Sequence, residues 1–128
     1  LYEGCRSGWQ MSLGQLKFYL ENYDGQQRKE LLLLEPCPGD LSGLFLDPKA
    51  RRQWLTVDDP PREVLVDTGS EVLMRWDAVG GTLELKQFDW AGVRYACLRC
   101  SSWASDYDLA YQRPALEDSL ASLRRLAA

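Results

Sequence analysis

Residues 63–100 read EVLVDTGSEVLMRWDAVGGTLELKQFDWAGVRYACLRC. Short runs rich in Val, Leu, Met, Trp and Tyr are cut at regular intervals by turn-forming residues. Glu63–Asp67 and Glu71–Asp77 flank Thr68-Gly69-Ser70, and Gly80-Gly81 leads into Thr82–Phe88. Asp89-Trp90-Ala91-Gly92 then turns the chain into Val93–Cys100. Runs of this length between Gly-containing breaks have the signature of strands and hairpins. Loops this short join strands that are neighbours in the sheet, so the spacing predicts an antiparallel meander.

Toward the N-terminus, Leu16, Phe18 and Leu20 alternate with Lys17, Tyr19 and Glu21, the period-two pattern of a half-buried strand. Asp24-Gly25 supplies turn residues, and Arg28–Glu35 is expected to return as the partner strand. Trp9, Met11 and Leu13 continue the alternation, in a preceding strand or in the same long one. The Pro36-Cys37-Pro38-Gly39-Asp40 segment is a break. Asp47-Pro48 looks like an N-cap followed by a first-turn proline, opening a short helix over Pro48–Leu55 that buries Trp54 and Leu55. Asp58-Asp59-Pro60-Pro61 ends it as a stiff acidic loop. Beyond the polar loop Ser101–Arg113, a helix starts at Pro114, with Leu116, Leu120 and Leu123 on one face. Glu117 and Asp118 near its start and Arg124-Arg125 near its end suit the helix dipole. The expected fold is α+β in one domain over residues 1–128. It has an antiparallel meander sheet of about six to seven strands, a short middle helix and a C-terminal helix packed on it.

Composition removes several chemistries. The chain has no histidine, which excludes Ser-His-Asp and Cys-His catalysis and His-containing zinc sites. Fifteen basic residues against 19 acidic ones give a net charge of −4, and the basic residues are scattered singly or in pairs. That is no footprint for nucleic acid. The longest aliphatic run, Leu31–Leu34, is far below the roughly 18 residues needed to span a bilayer, so no membrane span is expected. The chain opens Leu-Tyr-Glu-Gly-Cys, without an initiator Met or a signal-like apolar stretch. It therefore reads as a mature or trimmed product, in keeping with export to the periplasm or beyond.

Cys5, Cys37, Cys97 and Cys100 make an even number in a small chain, and structural disulfides are the first expectation. Buried free thiols, or a metal or redox role, are the alternatives. Cys97-Leu98-Arg99-Cys100 has CxxC spacing, yet it lies in a run that reads as a strand. Extended residues three apart are separated by about 10 Å, beyond the reach of a disulfide. Cys97 and Cys100 would then look to Cys5 and Cys37 for partners.

The C-terminal third carries a resemblance. The strand Gly92-Val93-Arg94-Tyr95-Ala96-Cys97-Leu98-Arg99-Cys100-Ser101, then a loop, then Tyr111-Gln112-Arg113-Pro114-Ala115-Leu116-Glu117-Asp118-Ser119-Leu120-Ala121-Ser122-Leu123-Arg124, resembles the closing strand-loop-helix of small bacterial PsbP-like and DcrB-like proteins. The resemblance implies an antiparallel sheet sandwiched by helices. It also implies an exported or secretion-associated binding protein, a class that includes chaperones and immunity-type proteins of bacterial secretion systems, type VI among them. The family's long helix after the first strands is reduced here to a short one within residues 41–55. No functional residue carries over.

The aromatic and acidic loop around Trp103, Asp106, Tyr107 and Asp108 is the leading candidate site. Loops on a rigid scaffold carry binding, and Trp and Tyr are common interface anchors. Asp58 and Asp59 are the second acidic element. Together with Glu63, or with Asp106 and Asp108, they contain oxygens that suit Ca²⁺, but the spacing is not that of an EF-hand and no metal site is assigned. Trp76, Phe88 and Trp90 fit sheet packing better than a ligand pocket, and a Lys86–Tyr95 acid/base pair has little to mark it. The resulting expectation is a non-enzymatic protein-binding protein without a cofactor. Its sharpest form is an immunity-type inhibitor whose acidic and aromatic loops occlude the basic cleft of a secreted toxin. A small-molecule or lipid-binding module, which needs an apolar cavity, and a carboxylate-dependent hydrolase, which needs two facing acids, are the rivals.

Overall fold

Alternation along the last two predicted strands sorts the side chains onto two faces, and the sheet follows from that sorting. In this computed structural model, which describes residues 2–127 and the side chains from residue 8 onward, the elements run in the following order. Helix α1 spans Tyr2–Asn22, strand β1 Lys29–Pro36, and helices α2 and α3 Ser42–Leu46 and Pro48–Trp54. Strands β2 to β5 are Glu63–Asp67, Val72–Trp76, Gly81–Trp90 and Val93–Ser102, and helix α4 is Arg113–Ala127. The sheet order is β1-β5-β4-β3-β2 and every pairing is antiparallel.

The meander over residues 63–102 is thus present, but the sheet has five strands, fewer than the six to seven expected. The difference lies in residues 9–21, which are helical. Met11, Gln15 and Phe18, spaced 4 and 3 apart, are buried against the sheet. Trp9, Leu13, Leu16 and Leu20, spaced 4, 3 and 4 apart, form a second, exposed stripe. Two apolar stripes on one helix place alternate residues on different faces, and that imitates a strand's period of two. Arg28–Glu35 accordingly has no hairpin partner before it. Strand β1 crosses to the far side of the meander and pairs with β5, Leu31 opposite Cys100 and Leu33 opposite Leu98. Gly25, with φ of 88°, turns the chain out of α1, and its amide donates to the Tyr19 hydroxyl at 2.9 Å.

One sheet face carries the main core. Val72, Met74 and Trp76 of β3, Leu83 and Leu85 of β4, and Ala96, Leu98 and Cys100 of β5 pack there with Phe45, Trp54, Leu116, Leu120 and Leu123. Full burial of each Val, Leu, Met or Phe among them contributes on the order of 1.5–3 kcal/mol. The Asp47-Pro48 start behaves as its residues require: the Asp47 carboxylate accepts from the Lys49 amide at 3.1 Å. The opposite face is covered by α1 alone, over β2 and β3.

Gly81 marks where the sheet tolerates no side chain, because an added Cβ would sit 1.8 Å from the Ser101 carbonyl oxygen, a backbone atom that cannot rotate away. Gly81→Ala is expected to destabilise the fold by about 3 kcal/mol. Gly43→Ala, in open space on α2, should be neutral or stabilising by up to about 1 kcal/mol. Urea denaturation of the two variants beside the wild type checks both.

Candidate functional site

A single helix cannot cover a five-stranded face. α1 settles against the β2–β3 side because Gly14 allows close approach: a Cβ there would come within 2.4 Å of Val66 Cγ2. The rest of that face, over β4 and β5, is left as the floor of a groove of about 440 Å³. Met11, Gln15, Leu16 and Tyr19 of α1 form one wall, and Arg28 and Trp103 close one end.

Antiparallel register brings charge to the floor. Glu84 of β4 is opposite Arg99 of β5, and Lys86 is opposite Cys97. Glu84 is only 3% exposed. Its carboxylate lies 3.5 Å from Lys86 Nζ and 3.9 Å from Arg99 Nη1. Arg99 Nε lies 3.6 Å from Glu30 Oε1, and Glu30 Oε2 pairs with Arg28 Nη2 at 3.0 Å. The inner pairs are longer than the 2.7–2.9 Å usual for a charge-assisted hydrogen bond, so the cations are held near Glu84 without being saturated by it. Gln15, 7% exposed, accepts from the Thr82 hydroxyl at 2.9 Å through Oε1. Its Nε2 has no partner, and neither has Arg99 Nε by hydrogen-bond criteria.

Of the expected site residues Trp103 reaches this groove, and Asp58, Asp59, Asp106, Tyr107 and Asp108 do not. Trp103, expected as an exposed anchor, is 3% exposed. Its ring packs 5.5 Å from Phe18, 6.0 Å from Tyr19 and 6.1 Å from Tyr23, with the Arg28 guanidinium 5.6 Å from its centroid. A large ring at the end of β5 is worth more under α1 than in water. Tyr107 is half-buried. Its hydroxyl accepts from Gln112 at 2.7 Å and its carbonyl from the Lys29 ammonium. Asp106 and Asp108 are exposed, and Asp108 caps the 3-10 turn that follows by accepting from the Ala110 amide at 3.0 Å. Asp58 and Asp59 are exposed on a different loop, where the Asp59 carbonyl accepts from Trp76 Nε1 at 2.7 Å. Among the described residues no group of three or more His, Cys, Asp or Glu side chains could hold a metal ion. No described helix is long and apolar enough to cross a membrane. Tyr95 lies opposite Phe88, their rings 5.7 Å apart, and not opposite Lys86. Trp76 is in the core and Trp90 is exposed at the hairpin end.

Cys37, Cys97 and Cys100 are buried free thiols, while Cys5 lies outside the described side chains. Cys97 and Cys100 point to opposite faces of β5, as residues three apart in a strand must. Burial pushes the Cys97 thiol up to about 11 and the Cys100 thiol up to about 12, and it raises Cys37 as well. None is a thiolate nucleophile at neutral pH. Raised folded-state values mean that the unfolded chain loses these protons first. The corresponding stability is complete below pH 9.0, the ordinary thiol value, and falls as pH climbs toward the folded values. Cys97→Val/Cys100→Val should therefore show a shallower loss of urea midpoint between about pH 9 and pH 11 than the wild type.

The strand-like alternation around Trp9–Leu13 and Leu16–Glu21 hides the helix that walls the groove, although Glu84 and Lys86 at alternate positions in an apolar strand are a usable signal. No family model, curated protein or solved structure matches this chain.

Proposed function

We propose that this chain is a non-catalytic binding module whose groove between α1 and the sheet takes a small organic carboxylate with an apolar body. One observation carries the reading. Among the described residues, the only buried side-chain polar atoms without a hydrogen-bond partner are Gln15 Nε2 and Arg99 Nε. Both are donors, and both residues line the groove. Buried polar groups are nearly always satisfied; Gln15 Nε2 has no partner and Arg99 Nε has only a 3.6 Å ion pair with Glu30, so an acceptor entering the groove would complete both.

The surroundings narrow its chemistry. Lys86 and Arg99 keep hydrogens beyond those aimed at Glu84, while Met11, Leu16 and Tyr19 offer an apolar wall. Among the charged residues that line the groove, Arg28, Lys86 and Arg99 exceed Glu71 and Glu84 by one positive charge, which suits a monoanion better than a phosphate dianion. The volume lies within the roughly 300–1,000 Å³ of ordinary ligand sites. The absence of histidine and the protonated state of Cys97 support binding over turnover. An immunity-type protein meeting a basic toxin cleft is the second reading, favoured by the exposed carboxylates of Asp58, Asp59, Asp106 and Asp108.

A panel of aromatic and aliphatic carboxylates, each beside its methyl ester, tests the first reading by thermal shift and tryptophan fluorescence. At least one acid should raise the melting temperature while its ester does not. Removing one hydrogen bond to a charged ligand costs about 1.5–3 kcal/mol, so Gln15→Leu/Thr82→Val should bind that acid at least tenfold more weakly. The same variant, with both polar partners replaced, should be as stable as the wild type or more so without ligand. Esters binding as well as acids would overturn the carboxylate assignment.

A further inference from the structure

The two edges of the sheet are built differently. β2 is five residues long, follows Pro60-Pro61, begins beside Arg62 and Glu63, and has a register shift between Val64 and Val66. Short length, proline, charge and a bulge are the devices that stop an edge from pairing with another chain. β1 has none of them along its centre. It is eight residues long and contains four consecutive leucines. Its register with β5 is unbroken, from Lys29 opposite Ser102 to Pro36 opposite Tyr95. Among the described residues, β5 alone makes backbone hydrogen bonds to residues 29–36. Leu32 and Leu34 are 43% and 46% exposed.

We infer that β1 is the contact surface for a second copy of this chain, joined edge to edge and antiparallel about a two-fold axis at Leu32. The sequence Lys29-Glu30-Leu31-Leu32-Leu33-Leu34-Glu35 selects that register. With Leu32 opposite Leu32 of the other copy, Leu31 meets Leu33 and Lys29 meets Glu35, each twice by symmetry. Opposite charges in facing positions support a strand pair, and like charges oppose it. Centring the axis on Leu33 would set Glu35 against Leu31 and Glu30 against Pro36. Centring it on Leu31 would set Lys29 against Leu33. The Leu32 register also sets Glu30 against Leu34, its one mismatched pair, but it alone of the three pairs Lys29 with Glu35 and keeps the other leucines together. Lys29 and Glu35 also share a sheet face, where carbonyls of residues 104 and 107 hold the ammonium and Arg124 holds the carboxylate. The facing pair is therefore preorganised from both sides. An isologous contact of this kind closes on itself and joins two five-stranded sheets into one of ten strands.

Sedimentation velocity over a wide concentration range tests this with three proteins. The wild type should be a dimer. Leu32→Lys, at an exposed position, should keep the wild-type circular dichroism and weaken dimerisation about tenfold or more, since it removes a leucine pair and opposes two like charges. Leu32→Cys should form a covalent dimer on mild oxidation that keeps the wild-type melting transition. A wild type that stays monomeric at the highest concentration would overturn the inference. So would a dimer unaffected by Leu32→Lys, which would place the contact on another surface, such as the exposed Trp9, Leu13, Leu16 and Leu20 stripe of α1.

Discussion

Trp103 is the contact on which the placement of α1, and hence the groove, depends. Its indole lies beyond the last paired residue of β5, and three aromatic rings of the α1 segment gather on it: Phe18, Tyr19 and Tyr23. Arg28 closes the cluster, bonding the Ser101 hydroxyl at 2.8 Å while its guanidinium lies over the indole. Aromatic pairs of this kind contribute about 0.5–1.5 kcal/mol each beyond the area they bury. Together they hold the C-terminal half of the helix at one corner of the sheet. Gly14 then lets the helix lie close to Val66 and Leu73, and the helix axis is set. On the β4–β5 side of that axis the helix leaves the groove open above Glu84, Lys86 and Arg99.

The uncovered floor is not apolar, and that is informative. A half-covered sheet face could be filled with small residues or simply left polar and hydrated. Instead a carboxylate with only 3% exposure sits between two cations. Removing such charges from water carries a desolvation cost of several kcal/mol per ion, and ion pairs at 3.5–3.9 Å offset it only in part. Thr82, Gln15 and Arg99 add polar groups to the same place. A cluster that stabilises so little for its cost, walled by Met11, Leu16 and Tyr19 on one side, has the character of a recognition surface more than of a packing element.

How far the sequence discloses this differs from element to element. Strands β2 to β5 are legible because their alternation is simple and their turns carry glycine or the Ala91-Gly92 pair. The second core layer is legible too, from the Asp47-Pro48 cap and from leucines at helical spacing in α4. Helix α1 is not, since its buried stripe contains a glutamine and its exposed stripe contains tryptophan and three leucines. Hydrophobicity therefore points to the wrong face. The groove inherits that difficulty, because one of its walls is α1. The loop after β5 misleads for a related reason: Trp103 follows two serines and precedes a polar stretch, and only the packing partners in α1, more than 80 residues earlier, show that it turns inward.

The place of β1 in the sheet has a consequence for how the chain reaches this state. β2 to β5 are joined by short turns, so each hairpin can close locally. β1 pairs with β5 across a separation of 73 residues at its first contact, and its true neighbour is the last strand to be made. Non-local pairing of this kind must bear the entropy of loop closure before any contact compensates it. The four-stranded meander is therefore the natural nucleus, and β1 arrives late, as the seal that completes it. Until it does, its four leucines and the exposed flank of β5 are both in water, and the interval between closing the meander and docking β1 is the part of folding most open to capture by a neighbouring chain.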